Sequence, residues 1–159
     1  FRSLHNRRDV IVVVSCNQPT NNRIRTRCPH LNAGCDDDEA TFRKYTYEEL
    51  MNSTFGLAPA GRSSSSYRII EVMSAGAIPV IVADNYVEPL ESGKFMIEWG
   101  RCALRFGTTE MGSILPALRA ISEEELRSRQ AYCVRVYEEY LKDDNALLGS
   151  VLRSLFLRL

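Results

Sequence analysis

Three short apolar runs, two of them rich in β-branched residues, constrain the fold of this chain more than any other feature. They occupy residues 9–15 (DVIVVVS), 54–58 (TFGLA) and 78–83 (IPVIVA), and a stretch of helical pattern separates the last two. Such short apolar runs are typical of strands that are buried on both faces of a parallel sheet. Strands that alternate with helices predict an α/β fold, a Rossmann-like parallel sheet flanked by helices.

Capping signals and helix breakers predict where the helices begin and end. Thr46 and Glu49 have the spacing of a capping box, and so do Ser122 and Glu125. Gly76 is well placed to end the helix that precedes the third apolar run. The predicted helices cover residues 47–52, 67–75, 113–120, 123–141 and 144–157. A short edge strand is expected at residues 102–106.

Length and charge limit the class of protein. The 159 residues suffice for one domain with its own core, so we expect a single domain over residues 1–159. Lysine plus arginine numbers 20, as does aspartate plus glutamate, and this balance gives no reason to expect a nucleic-acid partner. No apolar run is long enough to span a bilayer, and the chain begins at Phe1 rather than at methionine, as a fragment would.

Cysteines and acidic residues in the polar stretch after the first run suggest a disulfide or a metal site. The chain has five cysteines, an odd number that cannot all pair with one another. Cys28 and Cys35 could form a local disulfide, bind zinc together with His30, or remain free thiols. The acidic run at residues 36–39 is either a metal site or, as such runs usually are, solvated surface. We expect no bound metal.

A serine-rich loop at residues 61–66 joins the second apolar run to the following helix, and its position indicates an anion site. Ligands of parallel-sheet proteins bind beyond the carboxyl ends of the strands, where this loop is expected. The loop leads into a helix N-terminus with free N–H groups, and the guanidinium groups of Arg62 and Arg68 suit phosphate oxygens. A diphosphate would fit this loop, but a flexible serine-rich loop with a helix cap has the same pattern.

Glu71 is a second candidate on the same helix. It follows Arg68 by three residues, a spacing that lets the two side chains meet, and its neighbours Ile70 and Val72 are apolar. A carboxylate buried among apolar residues needs a partner. That partner is either Arg68, in a structural ion pair, or the paired hydroxyls of a ligand.

A longer pattern links these candidates over residues 55–81. It runs Phe-x-Leu-x-Pro-x-Gly, several small residues, Arg, two residues, Glu, a small-residue turn, and Ile-Pro-Val-Ile. The residues that carry it are Phe55, Leu57, Pro59, Gly61, Ser66, Arg68, Glu71, Ala75, Gly76, Ile78, Pro79, Val80 and Ile81. This pattern resembles the exostosin family, glycosyltransferase family 47.

Further correspondences to that family follow downstream. Asp84, the Glu88-Pro89-Leu90 segment and Trp99 resemble family positions, although Leu90 stands where phenylalanine is usual. The resemblance is specific over residues 47–106, loose from there to the C-terminus, and weak before Arg43.

The resemblance implies a GT-B architecture, in which two Rossmann-like domains face each other and the C-terminal one binds the nucleotide-sugar donor. This chain is similar to that C-terminal domain, so the domain that holds the glycan acceptor would be absent from it. The implied function is inverting transfer of a sugar from a nucleoside-diphosphate sugar, expected to be a UDP-sugar, to a glycan hydroxyl. The alternative is a non-catalytic nucleotide-sugar-binding or partner-binding module derived from such an enzyme.

The resemblance also implies which residues contact the donor. They are Gly61, Arg62, Ser64, Ser65, Ser66, Arg68, Glu71 and Asp84. The loop and Arg68 would hold the diphosphate, and Glu71 would bind the ribose or nearby hydroxyls. Asp84 is a candidate for sugar contacts and, less strongly, for the catalytic base, which is otherwise unassigned and could come from the absent domain. No cofactor and no metal are implied, so residues 36–38 are not the Asp-x-Asp metal site of other glycosyltransferases.

Location and the role of the aromatic residues complete the expectations. By resemblance the full-length protein would be anchored in the membrane of the Golgi or endoplasmic reticulum with this domain in the lumen, while this chain carries no anchor and would be inactive alone. Trp99 and Phe95 are predicted to be structural, sealing the loop after the third apolar run. The alternative role for them is a stacking platform for a sugar or base.

Overall fold

The computed structural model describes residues 5–6, 8–12, 43–60, 65–90 and 97–156, which fall into two compact units, Phe1–Leu50 and Met51–Leu159. In the first unit the predicted capping box is formed, because Thr46 N–H donates to Glu49 Oε2 at 2.7 Å and Glu49 N–H donates to the Thr46 hydroxyl at 3.2 Å. It opens α1, Tyr47–Met51. Of the strand predicted at residues 9–15, residues 9–12 are described and form no strand, and the rest lies outside the described residues.

A three-stranded parallel sheet organises the second unit. Its strands are β1 (Phe55–Pro59), β2 (Ile78–Val82) and β3 (Leu104–Phe106), in the order β1-β2-β3. Leu57 lies opposite Val80, and Val82 lies opposite Phe106. The predictions of an α/β fold, of two adjacent parallel strands and of a short edge strand are confirmed. β2 is the central strand of this sheet, and all five of its residues are buried.

The helices that were predicted begin and end close to their predicted positions, whereas the short helix at Trp99–Cys102 was not predicted. They are α2 (Arg68–Ser74), α3 (Trp99–Cys102), α4 (Ile114–Arg119), α5 (Glu123–Val136), a π-helical turn (Tyr137–Leu141) and α6 (Asp144–Phe156). The Ser122 hydroxyl accepts a hydrogen bond from Glu125 N–H at 3.2 Å and caps α5, and Asp143 caps α6 through Ala146 N–H at 2.8 Å. The long helix predicted to reach Leu141 changes to a π-helical turn after Val136, a change that its sequence pattern does not predict.

Helices cover both faces of the sheet. On one face, Ile81 of β2 packs with Ile69 of α2 and with Cys133 of α5. On the other face, Val80 packs with Ile114 of α4. Because successive residues of a strand point to opposite faces, the unbroken apolar run of β2 supplies both cores at once.

Two glycines fix the position of α2. A Cβ at Gly56 would overlap the Val72 side chain, so the glycine in β1 lets α2 lie close against the sheet. Gly76 has a φ of 74°, in the left-handed region that favours glycine, and the helix ends there as predicted.

A disulfide joins Cys102 of α3 to Cys133 of α5, and both residues are buried. This pair was not predicted from the sequence, because spacing alone does not fix the connectivity of cysteines. The pair it did consider, Cys28 and Cys35, lies outside the described residues.

The last helix presents its large apolar side chains outwards. α6 buries the small residue Ser150, whereas six large residues remain exposed: Leu147, Leu148, Val151, Leu152, Leu155 and Phe156. Within the described ranges, no helix combines the length and the apolar character needed to cross a membrane.

Candidate functional site

The carboxyl ends of the three parallel strands meet at one edge of the sheet. Just beyond the strands, Ala60 N–H donates to Val82 O at 3.2 Å and Ala83 N–H donates to Phe106 O at 3.0 Å, so the pairing continues for one residue. The segments that leave this edge carry the described candidates. Ligands of parallel α/β domains bind in this position, because the connections that leave the strands there can form a crevice.

Ser66 is held at this edge by Tyr86. The Ser66 N–H donates to the Tyr86 hydroxyl at 3.1 Å, and the same hydroxyl donates to the Ser66 carbonyl at 3.2 Å. Tyr86 is buried, and its ring belongs to the core cluster beneath the sheet edge. Burial, opposed by the Ser66 bond and reinforced by the negative charge of Glu88, raises the pKa of Tyr86, so the hydroxyl keeps its proton at neutral pH.

The first turn of α2 has fewer free N–H groups than predicted. Arg68 N–H donates to the Ser66 hydroxyl at 3.3 Å, and the N–H groups of Ile70 and Glu71 donate to Tyr67 O at 3.1 and 3.3 Å. The Glu71 bond is the ordinary first bond of the helix, so the expectation of free N–H groups is wrong only for Arg68 and Ile70, and the diphosphate site stays a prediction. Anion binding here would depend on the Arg68 side chain and on the serines that precede it.

Arg68 and Glu71 form the ion pair that their spacing predicts. Arg68 Nη1 lies 2.5 Å from Glu71 Oε2, and the two side chains are 44% and 43% exposed. Glu71 is thus not the buried carboxylate that its apolar neighbours suggested, although its Oε2 atom is itself shielded from solvent. A half-exposed pair of this kind contributes only about 0–1 kcal/mol to stability, so a ligand could engage either partner at little cost.

Asp84 follows β2 and is tied to the segment after β3. Its Oδ1 accepts a hydrogen bond from Thr108 N–H at 2.9 Å, and its Oδ2 accepts one from the Thr108 hydroxyl at 2.6 Å. The hydroxyl bond first, and then the backbone bond, lower the pKa of Asp84. A carboxylate whose pKa is lowered is a weaker general base, so this geometry favours Asp84 as a hydrogen-bond acceptor over a base.

The segment from Asp84 to Glu88 is anchored on alternate residues. The Glu88 side chain is fully buried and forms an ion pair with Arg105 of β3, while Tyr86 reaches Ser66 on the other side. No site role was predicted for Tyr86 from the sequence. Its position two residues beyond Asp84, in the segment that follows a predicted strand, is the signal that could have pointed to it.

Tyr67 is another residue that the sequence analysis did not single out. It is 87% exposed and lies between Ser66 and Arg68, so it offers an aromatic face beside the ion pair. Bases and sugars stack on such faces.

Part of the predicted site lies outside the residues that the structure describes. Gly61, Arg62, Ser64 and Phe95 lie outside the described residues, as do His30 and residues 36–38. Among the residues that are described, no three His, Cys, Asp or Glu side chains come together as a metal site. Trp99 is buried and its Nε1 donates to Pro89 O at 3.1 Å, so the structural role predicted for it fits its contacts.

An open cleft of about 430 Å³ lies elsewhere, between α3 and the start of α5. Gly100, Ser122 and Arg129 are among the residues that line it, and none of the candidate donor contacts does. Its shallow, open form gives a ligand little enclosure, so the sheet edge remains the better candidate.

The parallel sheet and the helices on both of its faces define an α/β Rossmann-like domain, and the polar groups at its carboxyl edge form a candidate ligand site. The family model of the Exostosin GT47 domain matches residues 2–121, and the chain belongs to that family. Its function is therefore glycosyltransferase-related. The match includes β1, α2 and β2, and with them Ser66, Arg68, Glu71 and Asp84.

Curated relatives support the same assignment. The chain is 27% identical over 157 residues to Exostosin-1 homolog of Caenorhabditis elegans. The matched region covers 98% of this chain and 39% of that protein. The chain is 31% identical over 138 residues to Exostosin-1 of Drosophila melanogaster, covering 86% of this chain and 17% of that protein. Exostosin-1 of Bos taurus is 25% identical over 138 residues. The chain thus spans well under half the length of these relatives.

Proposed function

We propose that this chain is the donor-binding domain of a glycosyltransferase that moves a sugar from a UDP-sugar to a glycan hydroxyl with inversion. The observation that carries the proposal is the position of Ser66, Arg68 and Glu71. They lie at the start of α2, beside the carboxyl end of the sheet and within the residues that the family model matches. This is where ligands bind in parallel α/β domains.

The proposed reaction divides into tasks that suit these side chains. The acceptor oxygen attacks the anomeric carbon, the bond from that carbon to the diphosphate oxygen breaks, and UDP leaves with the bonding electrons. The Arg68 guanidinium stabilises the charge on the departing diphosphate. The Glu71 carboxylate accepts hydrogen bonds from ribose or sugar hydroxyls, and Asp84 accepts others. The proton of the acceptor hydroxyl passes to a base that we assign to a second domain.

The proposal extends to the rest of the protein. The glycan acceptor would be held by that second domain, so this chain alone would bind donor without transferring sugar. We place the domain in the lumen of the Golgi or endoplasmic reticulum. The buried disulfide between Cys102 and Cys133 supports this, because disulfides persist in oxidising compartments.

Calorimetry on this 159-residue chain tests the proposal. UDP should bind at least about tenfold more tightly than ADP or GDP, a difference of about 1.4 kcal/mol. Equal affinities, or a preference for a purine nucleotide, would contradict a UDP-sugar site. In a longer chain that includes the second domain, Arg68→Ala should also lower sugar transfer. UDP binding without any transfer by that longer chain would favour the alternative, a non-catalytic nucleotide-sugar-binding module.

A further inference from the structure

We propose that Tyr86 is a positioning residue for donor binding, acting through Ser66 on Arg68. This inference rests on the proposed function, but it is drawn from different observations, namely the hydrogen bonds between Tyr86 and Ser66. Tyr86 is not among the residues that the family pattern singled out, and its ring is buried in the core. It holds the segment that presents the candidate contacts.

The hydroxyl of Tyr86 makes two bonds to one residue. It accepts from Ser66 N–H at 3.1 Å and donates to the Ser66 carbonyl at 3.2 Å, across a separation of 20 residues in sequence. Two bonds to the same peptide segment fix its orientation as well as its position. A buried tyrosine needs a partner for its hydroxyl, and here that partner is the backbone just before α2.

Tyr86 is itself held firmly by the residues two positions away on either side. Asp84 accepts two hydrogen bonds from Thr108, and the buried Glu88 side chain forms an ion pair with Arg105 of β3. The segment is therefore attached to the β3 side of the sheet at both ends. Tyr86 reaches from its middle to the connection between β1 and α2.

Ser66 transmits this placement to Arg68. The Ser66 hydroxyl accepts a hydrogen bond from Arg68 N–H at 3.3 Å, so the residue that Tyr86 fixes also sets the first turn of α2. Tyr86 lies in the same segment as Asp84, and its hydroxyl holds the segment that leads to Arg68. Its hydroxyl thus fixes the spacing between the two sides of the proposed donor site.

The test replaces Tyr86 by phenylalanine, which removes both hydrogen bonds and keeps the ring in the core. We expect the Kd for UDP to rise by about fivefold, because the segment at Ser66 that these bonds no longer hold must be ordered when UDP binds. In an Arg68→Ala background the same change should raise Kd by clearly less than about fivefold, because the charged group being positioned is gone while Ser66 and Glu71 remain. A fivefold effect in both backgrounds, or in neither, would overturn the inference.

Tyr132→Phe is the matched control. Tyr132 is also a buried tyrosine, and its hydroxyl accepts a hydrogen bond from Glu98 N–H at 3.0 Å. This variant should leave the Kd for UDP within about twofold of wild type. An equal loss of affinity in both variants would mean that loosening the core weakens binding in general, and the positioning role would be wrong.

UDP binding by wild type separates a failure of the proposed function from a failure of the positioning role. If wild type does not bind UDP, the proposed function fails. If wild type binds UDP and Arg68→Ala weakens binding while Tyr86→Phe does not, only the positioning role fails.

Amide hydrogen exchange tests the contact between Tyr86 and Ser66 in wild type alone, so it does not depend on whether a variant folds. The Ser66 N–H should exchange at least about tenfold more slowly than the N–H of an unstructured serine, because it is hydrogen-bonded. Exchange at the unprotected rate would contradict the contact.

Discussion

The carboxylate of Asp84 is held at both oxygens by Thr108, at 2.9 Å from its N–H and 2.6 Å from its hydroxyl. The second residue after β2 is thereby tied to the second residue after β3. These bonds favour the ionised carboxylate and lower the pKa of Asp84 below its ordinary value of 3.8.

A pH dependence follows from the lowered pKa of Asp84. A group whose pKa is lower in the folded chain adds stability above its unfolded pKa, and this stability is lost as the pH falls through the folded pKa. Thr108→Val should therefore lower Tm at pH 5–7, and the difference from wild type should shrink as the pH falls below about 4. Thr109→Val, which leaves both bonds to Asp84 in place, is the control. A Tm difference between wild type and Thr108→Val that stays constant from pH 6 to pH 2 would show that the contact with Thr108 does not depend on the ionisation of Asp84.

Gly56→Ala should destabilise the fold by about 1–3 kcal/mol, because the new methyl group overlaps Val72 and pushes α2 away from β1. Since α2 carries Arg68 and Glu71, UDP affinity should fall too. Gly149→Ala is the control: a Cβ there meets nothing, and alanine is the better helix former, so it should be neutral or stabilising. Chemical denaturation of both variants measures the difference. A neutral Gly56→Ala would show that the close approach is not required.

The disulfide between Cys102 and Cys133 closes a loop with a sequence separation of 31. Loop closure of that length predicts a stabilisation of about 3–4 kcal/mol, so reduction of wild type should lower Tm markedly. The double variant Cys102→Ala/Cys133→Ala should have a lower Tm than oxidised wild type, and reductant should change this Tm much less than it changes that of wild type. Comparing the two proteins with and without reductant separates the effect of this disulfide from any effect of the other three cysteines. A double variant whose Tm equals that of oxidised wild type would contradict the stabilising role of the disulfide.

Trp99 is the sole tryptophan, so its fluorescence reports on one place. Because it is buried and donates to Pro89 O, its emission should be blue-shifted and should change little when UDP saturates the chain. Strong quenching by UDP would instead favour a stacking role for Trp99.

The local features of this fold could be predicted from sequence. The apolar run of β2, the Thr46–Glu49 capping box and the end of α2 at Gly76 each depend on residues within a few positions of one another. The Arg68–Glu71 pair also follows from helical spacing. What periodicity did not predict was its exposure, because half of a short helix near a sheet edge faces solvent.

The contacts that organise the site are long-range and could not be predicted in this way. Tyr86 meets Ser66 across 20 residues, and Cys102 meets Cys133 across 31. Neither pairing leaves a pattern in the residues themselves. Both depend on which strands are adjacent and on how closely the helices approach them, so they follow only once the sheet has been assembled.

The most direct test of the donor site is a UDP titration of wild type, Arg68→Ala and Glu71→Gln at low and high salt. Both variants should keep their stability within about 1 kcal/mol, because their ion pair is half-exposed. The exposed pair between Glu123 and Arg127 of α5 supplies matched controls, and Glu123→Gln and Arg127→Ala should bind UDP normally.

Arg68→Ala should weaken UDP binding by roughly 1.5–3 kcal/mol at low salt and by less at high salt, because its partner is a charged diphosphate. Glu71→Gln should weaken binding with little salt dependence, because its partners are neutral hydroxyls. Wild-type affinity for UDP in both folded variants would contradict the assignment of Arg68 and Glu71 to the donor site.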